Sequence, residues 1–216
     1  MADAVKVFLL TISALFPIVD PLAGSPIFLA MTREYPPNTR RAIAWRVAIN
    51  SLLLMVGSYF VGTHVLNFFG ISIPVVQVGG GLVVASMGWG MLLEKDEAHE
   101  TARKSVHCSD ALHSAFYPLT LPLTVGPGTI SVAITLGANS TRYYGFQLAV
   151  MVAAVLGMAA IAISVLLCYG LSDQLARVLG RTGMMVIVRL SAFLLVCIGV
   201  QIMWNGISAL LSSLHM

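Results

Sequence analysis

The chain has 216 residues, 58% of them apolar and 10% charged, with a net charge of +3 and a mean hydropathy of +0.90. That composition excludes a soluble domain built around one core and points to a chain dissolved in a bilayer. The small positive excess calls for no nucleic-acid partner, because it falls in the short loops where membrane topology is set.

The first predicted span covers about 5–32. It is not a convincing signal peptide: Lys6 is its one basic residue, and "VFLLTISALF" runs into Pro17 and Asp20 without a small-residue cleavage site. Within "FPIVDPLAGSP" (16–26), Pro17, Pro21 and Pro26 interrupt the apolar run together with the carboxylate of Asp20. Between Arg46 and Glu94 lie 47 residues without Asp, Glu, Lys or Arg. A span needs roughly 20 residues, so this stretch holds two, predicted at 46–68 and 72–93 with "FGISIP" as the turn. "GGGLVVASMGWG" (79–90) sets small residues at close helical spacing and predicts tight packing of the third span.

The longest polar stretch, "EKDEAHETARKSVHCSD" (94–110), divides the chain into a first repeat over 1–95, a linker loop over 96–111 and a second repeat over 112–216. His99, His107, Cys108 and His113 fit no metal-ligand spacing and read as loop residues, so no metal is expected. Three more spans follow at about 112–138, 143–170 and 185–210. Cys168 and Cys197 fall in the last two without a CxxC pair and read as free thiols. Arg189, at the start of the sixth span, is expected to snorkel to the headgroups rather than pair with Asp20.

Ten of the twelve basic residues belong to the first, third and fifth loops: Arg33, Arg40, Arg41 and Arg46, then Lys95, Arg103 and Lys104, then Arg177, Arg181 and Arg189. Cytoplasmic loops retain Lys and Arg, which places these loops inside and both termini outside.

The halves also match each other. At an offset of 101, "FPIVDPLAGSP" overlies "YPLTLPLTVGP", so Pro17, Pro21 and Pro26 meet Pro118, Pro122 and Pro127, and Leu22 meets Leu123. With this proline content three coincidences at one offset have a chance of roughly 10⁻⁴, and about 1% after trying about a hundred offsets. Three spans per half force the second half to enter the membrane from the opposite side. The predicted fold is therefore an all-α membrane protein, six transmembrane helices in a 3+3 inverted repeat with helices one and four broken.

Each proline removes an amide donor, and in hydrocarbon the freed carbonyls need other partners. Breaks repeated in both halves thus point to a polar cavity between them. Gly24 and Ser25 in the first break, and Thr124, Gly126 and Gly128 in the second, offer close backbone approach and hydroxyls. Half-helix ends of this kind present amides to an anion and carbonyls to a cation, which suits a zwitterion. Asp20 is the sharpest clue, since a carboxylate at span centre costs about 3 kcal/mol on insertion scales and marks a functional site by default. It either binds a coupling proton or cation or caps the half-helix after it, and the two roles can coexist. Its repeat partner is Leu121. Asn50, Ser51 and Thr120 are weaker candidates for the same cavity.

No P-loop is present, nor a HExxH or GxSxG motif, nor a reactive cysteine pair, so an enzyme is not expected. The leading reading is a secondary transporter needing no cofactor. The alternative is a channel or a non-transporting partner of another membrane complex, and an intramembrane redox or hydrolytic enzyme is the least supported.

"ALFPIVDPLAGSPIFLAMT", "FGISIPVVQVGGGLVVASMG", "PLTLPLTVGPGTIS" and "RLSAFLLVCIGVQIMWNGI" together resemble the MarC family of bacterial integral membrane proteins over essentially the full chain. That resemblance implies the bacterial inner membrane, a topology similar to LysE-type exporters, and transport of small neutral amino acids such as glycine and alanine, as in the SnatA branch; a proton or sodium ion as coupling partner is expected from Asp20 and not from the resemblance. Members vary between Asp and Asn at the position of Asp20, so the resemblance itself does not imply proton coupling. This chain departs from a common family pattern at Gly24-Ser25, where Gly-Asn is frequent, and at "PLTVGP" (122–127), where Pro-Leu-Leu-Ala-Gly-Pro is frequent. Both departures fall in the presumed cavity and bear on the substrate.

Overall fold

The computed structural model describes residues 2–93, 115–144 and 147–214. All regular elements among them are helical. The predicted linker over 96–111, with His99, His107, Cys108 and His113, lies outside the described residues.

Helix α1 (Ala2–Val19) and helix α2 (Pro21–Met31) are separated by Asp20 alone. Helix α3 (Pro37–Phe68) turns through Gly70, at φ 68, into α4 (Ile73–Leu93). A wide-turned segment, Ala115–Thr124, precedes α5 (Pro127–Tyr144), α6 (Leu148–Gly170) and α7 (Ser172–Leu214). Gly180, at φ 65, divides α7 into a short first stretch and a long second one. Asp3–Met31, Pro37–Phe68, Ile73–Leu93, Leu148–Gly170 and Thr182–Ser213 are each long and apolar enough to cross a membrane, and the bent pair Ala115–Thr124 and Pro127–Tyr144 adds a sixth if it is one span.

The largest departure from the predicted boundaries is at the second span, which begins at Pro37 rather than near 46. Pro37 opens α3 because a missing N–H costs nothing in the first turn. Counting charges placed Arg40 in a loop, but it is helical and 8% exposed. Its guanidinium donates to the carbonyls of Thr32 and Tyr35 and to Asp173 Oδ2 at 2.5 Å. The α2–α3 turn is thereby tied to the first residues of α7.

Packing follows the small residues. The most extensive pair is α4 with α7, and a Cβ on Gly81 would lie 2.6 Å from the carbonyl of Gly199, one on Gly88 2.7 Å from that of Ala192. Those two glycines of the "GGGLVVASMGWG" run let the backbones touch, whereas Gly79 and Gly90 face open space. Helix α1 packs on α6, and α3 on α5 and α6. Their common core centres on Leu15, Phe28, Val47, Met55, Met158 and Tyr169. The outer surface is apolar as well, with Leu53, Leu82 and Phe193 exposed, as a lipid solvent allows.

Candidate functional site

The first proline-rich break is slight. Asp20 adopts a left-handed conformation, φ 40 and ψ 66, which Asp tolerates better than most residues. Backbone bonds continue on both sides of it: Asp20 N–H donates to Phe16 O at 2.9 Å, and Gly24 N–H to Asp20 O at 3.0 Å. Oδ1 accepts from Ala23 N–H at 3.2 Å, an N-cap on α2. Oδ2 is buried and makes no hydrogen bond of good geometry, and the Ser191 side chain of α7 is the polar group beside the carboxylate. The capping reading therefore accounts for one oxygen, and the other lies at the α7 side.

The second break is severe: the segment before it and α5 meet at 69°. Tyr117 (φ −126, ψ 126) and Leu121 (φ −108, ψ 126) are extended, as residues preceding Pro118 and Pro122 must be. Around the bend, carbonyls of the segment go to hydroxyls and to wide turns. Thr120 donates to Ala115 O at 2.7 Å, Thr124 to Leu119 O at 2.8 Å, and Val125 N–H to Thr120 O at 2.9 Å. Pro127 opens α5.

Both breaks line one cavity of about 400 Å³. Asp20, Ala23 and Gly24 contribute from the first break, Pro118, Pro122 and Leu123 from the second, and Met87, Gly90 and Met91 of α4 close a side. Among the described residues, Asp20 is the one charged residue in this lining. A second, smaller void of about 20 Å³ lies at the start of α5, where Thr124 and Gly126 reach it.

The sequence pattern of the family described as MarC family integral membrane protein matches residues 5–211. The chain belongs to the MarC family. It is 34% identical to the inner membrane protein MarC of Salmonella typhimurium over 222 residues, 34% to that of Citrobacter koseri over 225 and 33% to that of Escherichia coli over 221, covering 100% of both chains each time. No solved structure matches. With its membrane-length helices, this MarC-family chain is a multi-pass inner membrane protein.

Not every residue expected at the site reaches the cavity of this MarC-family protein. Ser25 is fully buried and donates to Cys168 O at 3.0 Å, tying α2 to α6. Thr120 is committed to its own backbone. Asn50, half-buried on α3, and Ser51, whose hydroxyl is buried without a partner among the described residues, lie outside both linings. Among the helix-breaking prolines, Pro17 and Pro26 sit inside α1 and α2, and Pro21 is the first residue of α2. Arg189 donates to the carbonyl of Leu92, in the last turn of α4, where a cation suits the helix end. Among the described residues no group of three or more His, Cys, Asp or Glu could hold a metal ion.

Tyr169 escaped the sequence reading. It is fully buried at the end of α6, stacked on Phe28 at 4.6 Å, and its hydroxyl meets Thr124 Oγ1 at 3.0 Å. A Cβ on Gly24 would lie 2.5 Å from that hydroxyl, so Gly24 is glycine because Tyr169 occupies the space. One side chain thus touches both breaks. Only its tyrosine type, polar at the end of an apolar run, hinted at a buried partner.

Proposed function

We propose that the protein is a secondary transporter of small neutral amino acids of the glycine and alanine kind across the inner membrane, with a site at the two broken helices. The observation that carries this reading is the single cavity that both breaks share, with one carboxylate in its lining. Its volume suits a small solute with water. In this reading the chain is a 3+3 inverted repeat, supported by the matched prolines and by three spans in each half, and the two halves rock about the cavity so that it opens to one side at a time. Oδ2 of Asp20 binds the coupling ion, a proton or sodium, while Oδ1 keeps α2 capped. Both termini are periplasmic, following the arginines of the first and fifth loops.

The test is counterflow of labelled alanine and glycine in proteoliposomes, for wild type and Asp20→Asn, with and without a pH gradient. A proton-coupled carrier concentrates label under the gradient, and Asp20→Asn retains exchange but loses the gradient response. A channel equilibrates label without counterflow. Absence of any movement, with correctly inserted protein, removes these amino acids as substrates.

A further inference from the structure

The last turn of α1 leaves its carbonyls short of donors. Pro21 has no N–H to return to Pro17 O, and the N–H of Ala23, four residues past Val19, goes instead to Asp20 Oδ1 at 3.2 Å. A helix end of this kind carries the negative pole of the dipole. Ile18, Val19 and Asp20 all line the cavity of about 400 Å³, so the end of α1 borders it directly.

Asp20 adds its own charge to that end. Among the described residues the ion pairs are Lys6 with Asp3 and Arg40 with Asp173, and neither includes Asp20. Oδ2 is buried and makes no hydrogen bond of good geometry, and the Ser191 side chain of α7 lies beside the carboxylate. Leu195, one turn further along the same face of α7, lines the cavity together with Asp20. A buried carboxylate oxygen with neither a cation nor an aligned donor, next to a hydroxyl and a donor-poor helix end, calls for a cation. A proton occupies one lone pair and leaves the carbonyls of α1 as they are, whereas an alkali-metal ion takes several hard oxygen ligands at once. A divalent ion on a single carboxylate would leave a net positive charge in hydrocarbon, which is costly.

We infer that the α1–α2 junction is an alkali-metal site, in which Asp20 Oδ2, the Ser191 hydroxyl and main-chain carbonyls of the last turn of α1 share one sodium-like ion. This deepens the transport reading, on which the ion's role in coupling rests. Its consequence is mechanical. Ser191 belongs to α7, which is joined to α4 by the close backbone approaches at Gly81 and Gly88 and by Arg189 on Leu92 O. Asp20 belongs to the broken span. An ion held by both ties the α4–α7 pair to the break, and its release lets the walls of the cavity separate.

The test uses the full chain in detergent micelles and follows its thermal midpoint in sodium chloride against choline chloride at equal ionic strength. Sodium raises the wild-type midpoint and choline does not. Asp20→Asn, which keeps the cap on α2, loses the sodium response. Ser191→Ala needs about tenfold more sodium or greater for the same shift, because an oxygen ligand is lost, and Ser191→Thr, which keeps the hydroxyl, responds as wild type. A serine that only packs would leave the sodium response of Ser191→Ala unchanged. No sodium shift in the wild type, or the wild-type response in Asp20→Asn or Ser191→Ala, overturns the site. Alanine counterflow without a sodium shift leaves the transport reading standing and this inference fallen, and a sodium shift without counterflow does the reverse.

Discussion

The two proline-rich breaks carry the same three prolines at the same spacing and fold differently. The first continues nearly in line, Asp3–Met31 making one 29-residue span, whereas the second turns through 69°. The residue before the middle proline separates them. Asp20 tolerates a left-handed backbone and supplies the acceptor that restarts α2 at once. Leu121 does neither, so it lies extended, and carbonyls around the bend go to the hydroxyls of Thr120 and Thr124. Matching prolines therefore specify where a helix is weak, and the side chains among them decide how far it bends.

Tyr169 is where the two breaks are held together, so its removal is the most disruptive test of the comparison. Tyr169→Ala deletes a fully buried ring that stacks on Phe28 and lies against Gly24. We expect a loss of about 3–5 kcal/mol, read as a lower midpoint in a denaturing-detergent titration. Tyr169→Phe keeps the ring and leaves Thr124 bonded to Leu119 O, so its cost is about 1 kcal/mol. Equal losses in the two variants would mean that the hydroxyl, not the ring, joins the breaks.

The pair of Arg40 and Asp173 anchors the first break at its far end and, among the described residues, has no counterpart at the second. Because the Asp173 side chain is 44% exposed, its share is screened, and Arg40→Met is expected to cost about 2 kcal/mol, below the range for a fully buried pair. Asp173→Asn should cost a similar amount, since it leaves the buried guanidinium with only two carbonyl partners. The check is a double-mutant cycle: if the two losses add without coupling, the contact contributes nothing as a pair.

Much of this was legible in the sequence, because a bilayer makes hydropathy and backbone satisfaction decisive. The charge-free stretches gave the spans, and the prolines located both breaks. What escaped depends on contacts between distant residues. Arg40 looked like a loop charge until Asp173, 133 positions away, came beside it. Tyr169 had no sequence signature, since its importance comes from Gly24 and Thr124 on other elements. Thr120 looked like a ligand for a solute because a hydroxyl beside a break suits a backbone carbonyl and a substrate equally well. The split of Asp20 into one capping oxygen and one unpartnered oxygen is likewise a matter of geometry that residue type cannot show.

That split permits the finest test of why the first break stays straight. Asp20→Ala removes the cap, worth about 1 kcal/mol, and places a Cβ residue without local hydrogen bonding at φ 40, for a total of about 1–2 kcal/mol. Asp20→Asn keeps an acceptor at Oδ1 and the tolerance for the left-handed region, so its stability should fall within about 0.5 kcal/mol of wild type. The buried Oδ2 is then replaced by an amide that cannot carry a negative charge. If the carboxylate serves only as a cap, Asp20→Asn is silent in stability and in transport alike. If Oδ2 binds the coupling ion, Asn preserves the fold and loses the gradient response, whereas Ala loses both. A variant as stable as wild type but blind to the gradient would separate the two oxygens' roles, and no change at Leu121 in the second break could produce the same result.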